Sequence, residues 1–371
     1  MEYVNLGDVA TYINGYAFKP EQRGKKGLPI IRIQDLNGNS HDLGFFDGEY
    51  PKQVEFNAGD ILLSRSGSLG VYKWNKGKAL LNQHIFKVLF NKIKIDKEYF
   101  CYAVKNSLSV MSQQTHGATM KHITKKDFDK VLIPYPSLNT QRKIAQKLNI
   151  VTELNVFYET ELSLMEQLIK ARFVEMFGDP IINPYGFPVK KIDEVAVLNK
   201  GITYSPDDIS KEGIIVLRSG NIKGNAFDLE DIVRISKKIS NDKLVNENDI
   251  LMCNRNGSVN LVGKVAKIPK LEEKMTFGTF MTIVRSEIFE YLFVFFQMNA
   301  FREQIKFQTA VAINQISLPL LASVKVPIPT NELIKEFADF VEQVDKSREA
   351  VKKSLEKTQQ LYDSLMQEYF G

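Results

Sequence analysis

Two short stretches combine an arginine with small hydrogen-bonding side chains and a glycine, each directly after an apolar run. Ser64-Arg65-Ser66-Gly67-Ser68 follows Ile61-Leu62-Leu63, and Asn254-Arg255-Asn256-Gly257-Ser258 follows Ile250-Leu251-Met252-Cys253. Hydroxyls, carboxamides and amides on a pliable turn suit phosphate oxygens, an arginine fork matches a guanine edge, and an asparagine carboxamide matches N6 and N7 of adenine. Ordinary hairpin turns have the same Gly- and Ser-rich composition. The reading therefore depends on what recurs elsewhere in the chain.

Three further pairs have this character. Asn14-Gly15-Tyr16 and Lys200-Gly201-Ile202-Thr203-Tyr204 each set an aromatic beside a turn; Gln83-His84 corresponds roughly to Gly278-Thr279; His116-Gly117-Ala118-Thr119-Met120-Lys121 corresponds to Thr309-Ala310-Val311-Ala312-Ile313-Asn314. In each pair the framework matches and the polar identities differ, as expected of two domains of one fold that read different sequences, and equally of drift after duplication. The candidate DNA-contacting residues are Asn14, Tyr16, Arg32, Ser64, Arg65, Ser66, Ser68, Lys73, Gln83, His84, His116 and Lys121 in the first copy. In the second they are Lys200, Tyr204, Arg218, Asn254, Arg255, Asn256, Ser258, Lys264, Thr279 and Asn314.

Signatures of bond-making chemistry are missing. The sequence has no Walker loop, His-Glu-x-x-His helix, Gly-x-Ser-x-Gly elbow or Gly-x-Gly-x-x-Gly fingerprint. Asn183-Pro184-Tyr185 lacks the second proline of an amino-methyltransferase signature and lies in a Pro- and Gly-rich connector. All four histidines, His41, His84, His116 and His122, fall in the first copy, so histidine is not a shared mechanism. Cys101 and Cys253 occupy non-equivalent positions and suggest neither a disulfide nor a metal knuckle; they are expected to be buried or neutral.

The loops must be positioned by a duplicated scaffold. The segment Leu6 to Gly178 recurs from Ile192 to Gly371: Asn14-Gly15, Arg32 and Gly38-Asn39 match Lys200-Gly201, Arg218 and Gly224-Asn225 at an offset of 186, and Pro134, Pro136, Glu175, Phe177 and Gly178 match Pro327, Pro329, Glu368, Phe370 and Gly371 at 193. Each copy opens with strand-like runs, at Leu28–Ile33, Asp60–Leu63 and Ile85–Leu89 and at Gly213–Arg218, Asp249–Met252 and Phe280–Val284. Stretches Glu98–Met111 and Ile288–Phe301 are apolar at helical spacing and predict core helices. Short strands with a few helices imply an α/β or α+β class.

Each copy then passes a proline pair, Pro134 and Pro136 or Pro327 and Pro329, into a heptad run. Ile144, Leu148, Val151, Asn155, Tyr158, Leu162, Met165, Ile169, Arg172 and Met176 form one seam; Phe337, Val341, Val344, Arg348, Val351, Leu355, Thr358, Tyr362, Leu365 and Tyr369 form the other. From about Thr140 to Phe177 no proline or glycine intervenes, which predicts a helix of roughly 55 Å at 1.5 Å rise per residue. Such a helix needs a partner along its length, and the other copy, returning antiparallel as a coiled coil, is the economical one. Asn155, Arg172 and Arg348 either fix register or sit at a flank.

With 371 residues, 44% of them hydrophobic, the chain can support about two domains with buried cores. Its net charge of +5 is unevenly spread: +6 over residues 1–136, −1 over 137–180, +3 over 181–329 and −3 over 330–371. Basic globular parts suit polyanions and acidic helices suit protein. Neither an apolar run long enough for a membrane nor a leader-like start is present, so a cytoplasmic location is expected.

On Leu6-Gly7-Asp8-Val9-Ala10, Asn14-Gly15-Tyr16-Ala17-Phe18, Pro29-Ile30-Ile31-Arg32-Ile33-Gln34-Asp35-Leu36-Asn37, Gly59 to Ser68, and Ile133-Pro134-Tyr135-Pro136 leading to Gln141-Arg142-Lys143-Ile144-Ala145, the chain resembles the specificity subunit of type I restriction-modification systems over essentially its whole length. The resemblance implies two target recognition domains, 1–137 and 181–330, and two spacer helices, 138–180 and 331–371. It also implies one half of a split, asymmetric double-stranded DNA site read by each domain, with the helices fixing a gap on the order of one to two duplex turns. Two methyltransferase subunits would dock on the helices, with restriction and translocase subunits in the full complex. S-adenosylmethionine, ATP and Mg would belong to those partners and none of the cofactors to this non-catalytic chain. The second copy departs from the pattern, with Asn221-Ile222-Lys223 in place of Asp35-Leu36-Asn37 and Leu333 to Phe337 in place of Gln141 to Ala145, which leaves its DNA contacts less defined. Two other readings are a nuclease or methyltransferase acting alone, and a scaffold or decoy that binds methyltransferase subunits without productive DNA reading.

Overall fold

A computed structural model describes residues 2–39, 42–64, 69–113, 125–306 and 315–371. Packing divides the chain into two compact units, residues 1–159 with 353–371, and residues 160–352. Each long helix thus contributes one stretch to each unit.

The first unit holds two four-stranded sheets. One is antiparallel, in the order Thr11–Asn14, Ile85–Leu89, Ile61–Ser64, Gly70–Lys73; the other runs Phe45–Phe46, Leu28–Ile31, Ala79–Leu81, Glu55–Phe56, with its two middle strands parallel. The second unit has the same two-sheet plan, with Val197–Lys200, Met281–Arg285, Ile250–Cys253 and Val265–Lys267 in one sheet and Ile209–Ser210, Arg234–Ile235, Ile214–Leu217 and Met275–Phe277 in the other, where Ile214–Leu217 runs antiparallel to Arg234–Ile235 and parallel to the edge strand Met275–Phe277. A two-stranded ribbon in each pairs Tyr3–Asn5 with Leu132–Pro134 and Val189–Lys191 with Lys325–Pro327. Every strand run expected from the sequence is a strand here, within one or two residues at its ends.

The central strands are apolar at all but one position, Ser64, because both faces are covered. Ile61 and Leu63 enter one core and Leu62 a second; Ile250 and Met252 enter one core, Leu251 and Cys253 another. Alternate side chains of a strand point to opposite faces, so a strand between two cores reads as continuous hydrophobicity.

The core helix expected at Glu98–Met111 forms as Lys97–Gln113. Its counterpart, expected as one helix over Ile288–Phe301, is two, Phe289–Phe295 and Asn299–Lys306. The amides of Gln297 and Met298 donate to carbonyls three residues back, the tightened bonding of a helix end. The break lets adjacent Phe295 and Phe296, both 0% exposed, enter the core together with Phe301. In both units a buried tyrosine on this helix donates to a proline carbonyl of the ribbon, Tyr99 to Pro134 and Tyr291 to Pro327.

The heptad runs form helices Leu138–Phe177 and Asn331–Phe370, each of 40 residues. Ser137 and Thr330 cap them, their hydroxyls accepting from the amides of Thr140 and Leu333. Gly178, at φ 72°, closes the first in the left-handed conformation, donating to the Val174 carbonyl. The altered start of the second copy has a packing cause. Gln141, fully buried, bridges the Asp96 amide and the Pro136 carbonyl, whereas Ile334 at the matching position fills its site with apolar volume.

All twenty seam residues named from the sequence are buried or half-buried. In the first unit, Lys147 donates to Tyr369 and Asn155 to Gln359, while the Thr358 hydroxyl donates to Asn155; rising numbers on one helix meet falling numbers on the other. In the second unit Arg172 bonds Glu336, and Phe173 and Phe177 both pack edge-on against Phe337. Asn155 and Arg172 thus bond across helices, whereas Arg348 bonds Asp345 of its own helix.

Candidate nucleic-acid interface

Four strand ends meet at one end of each unit. In the first, Asn14 pairs with Phe86 and Ser64 with Ile85, while the parallel strands Leu28–Ile31 and Ala79–Leu81 finish beside the same 82–84 turn. The chain crosses from one sheet to the other at Gly15, whose amide donates to Ile85, followed by Tyr16, whose amide donates to Leu81. A Cβ on Gly15 would lie 1.9 Å from the Asn82 carbonyl oxygen, and one on Gly201 2.0 Å from that of Gly278. These glycines, expected as turn residues, serve close backbone approach between sheets.

The register of the central strands corrects two correspondences. Strand Ile61–Ser64 matches Ile250–Cys253, so Ser64 stands at the place of Cys253, not of Asn254. The parallel bridges Tyr16 to Asn82 and Ile202 to Gly278 place Gln83 and His84 opposite Thr279 and Phe280.

In the first unit, Asn14, Tyr16 and Gln83 are exposed at the loop end and His84 is half-buried, held at φ 72°. Tyr16 rests its ring edge-on against Phe18, 4.9 Å between centroids. Three candidates are buried or held by partners within the chain. Ser64 is 2% exposed. Arg32 caps the helix Ile33–Leu36 in an ion pair with Asp35 at 3.1 Å, and its guanidinium also donates to the Asp42 carbonyl. Lys73 pairs opposite Ile61, at the far end of its strand from the loops, and its ammonium is bound to Glu98.

The second unit assembles more of its set. Asn256 donates to Ser219, next to Arg218, which forms an ion pair with Asp231 at 2.8 Å. Arg218 and Arg32 play the same local part, their amides donating to Asn221 and Asp35, so the departure of Asn221 from the first copy keeps the cap and changes only its charge. Asn254 is buried and donates to Thr282, fixing the loop base rather than facing outward. Arg255 and Ser258 are exposed, with the Arg255 guanidinium 5.1 Å from the centre of the Phe280 ring. Tyr204, Lys264 and Thr279 are half-buried and Lys200 exposed at the same end. Phe280 and Ser219 escaped sequence reasoning; the signal for Phe280 is its match to His84, visible only once the strand register is known. Arg65, Ser66, Ser68, His116, Lys121 and Asn314 lie outside the described residues.

The structural counterpart of Lys73 is Lys267, and the ion pair recurs with it. Lys267 binds Glu290 at 2.8 Å and Asp345 of the long helix at 2.9 Å. Burial works against the charged ammonium, but the two carboxylates together hold its pKa above the usual lysine value. Burial raises Glu290 despite Lys267 beside it. Burial also pushes the Cys101 thiol up to about 12 and raises Cys253, so neither is a poised nucleophile. Among the described residues no group of three or more His, Cys, Asp or Glu side chains is placed to hold a metal ion, and no helix is long and apolar enough to cross a membrane.

A duplicated α/β module, with each copy presenting a polar loop cluster and leading into a long helix, defines a class of two-domain recognition proteins. The chain belongs to the type I restriction modification DNA specificity domain family, whose model matches residues 1–165 and again 184–360. Its role is the specificity role, carried by two tandem target recognition domains. It is 24% identical to the EcoBI specificity subunit of Escherichia coli, over 99% of this chain and 85% of that one. It is 21% identical to the MjaVIII specificity subunit of Methanocaldococcus jannaschii, over 98% and 91%. The fold is similar to that of the S subunit of the type I system of M. genitalium, with a TM-score of 0.57 at 16% identity, covering 100% of this chain and 96% of that one.

Proposed function

We propose that each unit reads one half of a split, asymmetric DNA site through its loop-bearing end, and that the long helices serve as spacer and as docking surface for two methyltransferase subunits. The observation that carries the reading is one loop framework built twice with different side chains: Asn14 against Lys200, Tyr16 against Ile202, Gln83 against Thr279, His84 against Phe280. Gly15 and Gly201 and the strand register that hold the loops are common, while the side chains at these four loop positions differ. Two unlike readers on one chain suit a non-palindromic site.

Docking is supported by the first long helix. Ile150, Leu154 and Phe157 in the first unit and Leu164 and Leu168 in the second are exposed by 38 to 60%, at spacings of four and three. That is an amphipathic face additional to the buried seam, of the kind another helix covers. The test is co-expression with the cognate methyltransferase subunit and mapping of methylated adenines by single-molecule sequencing. A split motif with a fixed gap is expected; a stable complex that adds no motif would overturn DNA reading in favour of a scaffold.

A further inference from the structure

Phe280 is an aromatic ring 51% exposed in the midst of polar loops. Its position is fixed from behind: the amides of Asn254 and Arg255 both donate to its carbonyl, at 2.8 and 3.3 Å, and the Met281 amide turns back to Gly278. The Arg255 guanidinium lies over the ring. The backbone that carries this solvent-facing ring is fixed, so less conformational freedom is lost when the ring is covered. Its own packing does not account for its place.

We propose that Phe280 is a specificity-determining residue of the second unit and recognises the 5-methyl group of a thymine in the major groove. Apolar contact with that methyl is the one base-edge interaction open to a side chain without hydrogen-bonding groups. The alternative use of an exposed phenylalanine, as a wedge between base steps, needs both ring faces clear to slide into the stack. Here one face carries Arg255, which leaves the edge and the other face. At the matching place the first unit has His84, so the two units read different chemistry from one position.

This inference rests on the DNA-reading proposal above, and the experiment separates the two. The complex of this chain with its methyltransferase subunit is bound to its mapped site, each thymine replaced in turn by deoxyuridine, which removes only the methyl. Wild type should lose about fourfold in affinity at one thymine, the effect of one buried methyl. Phe280→Ala should bind the natural site about as weakly as, or more weakly than, wild type binds that deoxyuridine site, and should show no further loss on the replacement; Phe280→His should relax the base preference at that position in the methylation map. A split motif with no thymine whose methyl matters, or a Phe280→Ala complex as methyl-sensitive as wild type, overturns the inference alone. Failure of wild type to yield a split motif overturns the DNA-reading proposal instead.

Discussion

Replacing Lys267 by methionine should destabilise the second unit strongly, and the structure gives the size. The ammonium bridges Glu290 and Asp345 at 2.8 and 2.9 Å, and the Glu290 side chain is 11% exposed. Removing one member of a largely buried pair leaves the other charge unsolvated, at roughly 3 kcal/mol. Replacing both Lys267 and Glu290 by methionine removes the orphaned charge and should restore most of that loss, a coupling well outside the error of a double-mutant cycle. The pH dependence has a definite sign. Glu290, raised above 4.5 by burial, rises further without Lys267, so the folded state holds its proton more tightly than the unfolded state. The Lys267→Met penalty is then full at neutral pH and shrinks as pH falls towards 4.5. Urea unfolding followed by circular dichroism at several pH values measures both. Additive single substitutions, or a penalty that does not change on acidification, would refute the reasoning.

Gly15→Ala should cost the first unit about 3 kcal/mol, because its Cβ meets a backbone carbonyl in the facing sheet, while Gly77→Ala, with open space around it, should be neutral. Trp74, the sole tryptophan and part of the first unit, reports the transition by its emission. Arg255→Ala should lower DNA affinity about tenfold or more and relax one half-site in the methylation map, leaving the other half unchanged; equal relaxation of both halves would contradict independent reading. Cys101 and Cys253 should react with a thiol reagent at pH 8 only on unfolding, since burial raises both thiols; fast labelling of native protein would show the cores to be open.

The duplication, the mixed strand and helix class, the central strands and both heptad seams were legible in the amino-acid sequence. Each of these is a periodic signal repeated over many residues, and the two copies check one another. It also marked Gly15, Gly201, Arg32 and Arg218 as shared positions, without distinguishing contact from scaffold. The fold gives these residues partners within the protein. The glycines admit one sheet against the other, Arg32 and Arg218 cap short helices, and Lys73 lies at the far end of its strand, because a side chain's partners come from strands distant in sequence. Loop correspondence was beyond the sequence for the same reason: insertions shift the offset between copies, and only ladder hydrogen bonds tie His84 to Phe280 and Ser64 to Cys253. Periodicity fixes which face of an element is buried, whereas the identity of what buries it is a property of the folded chain.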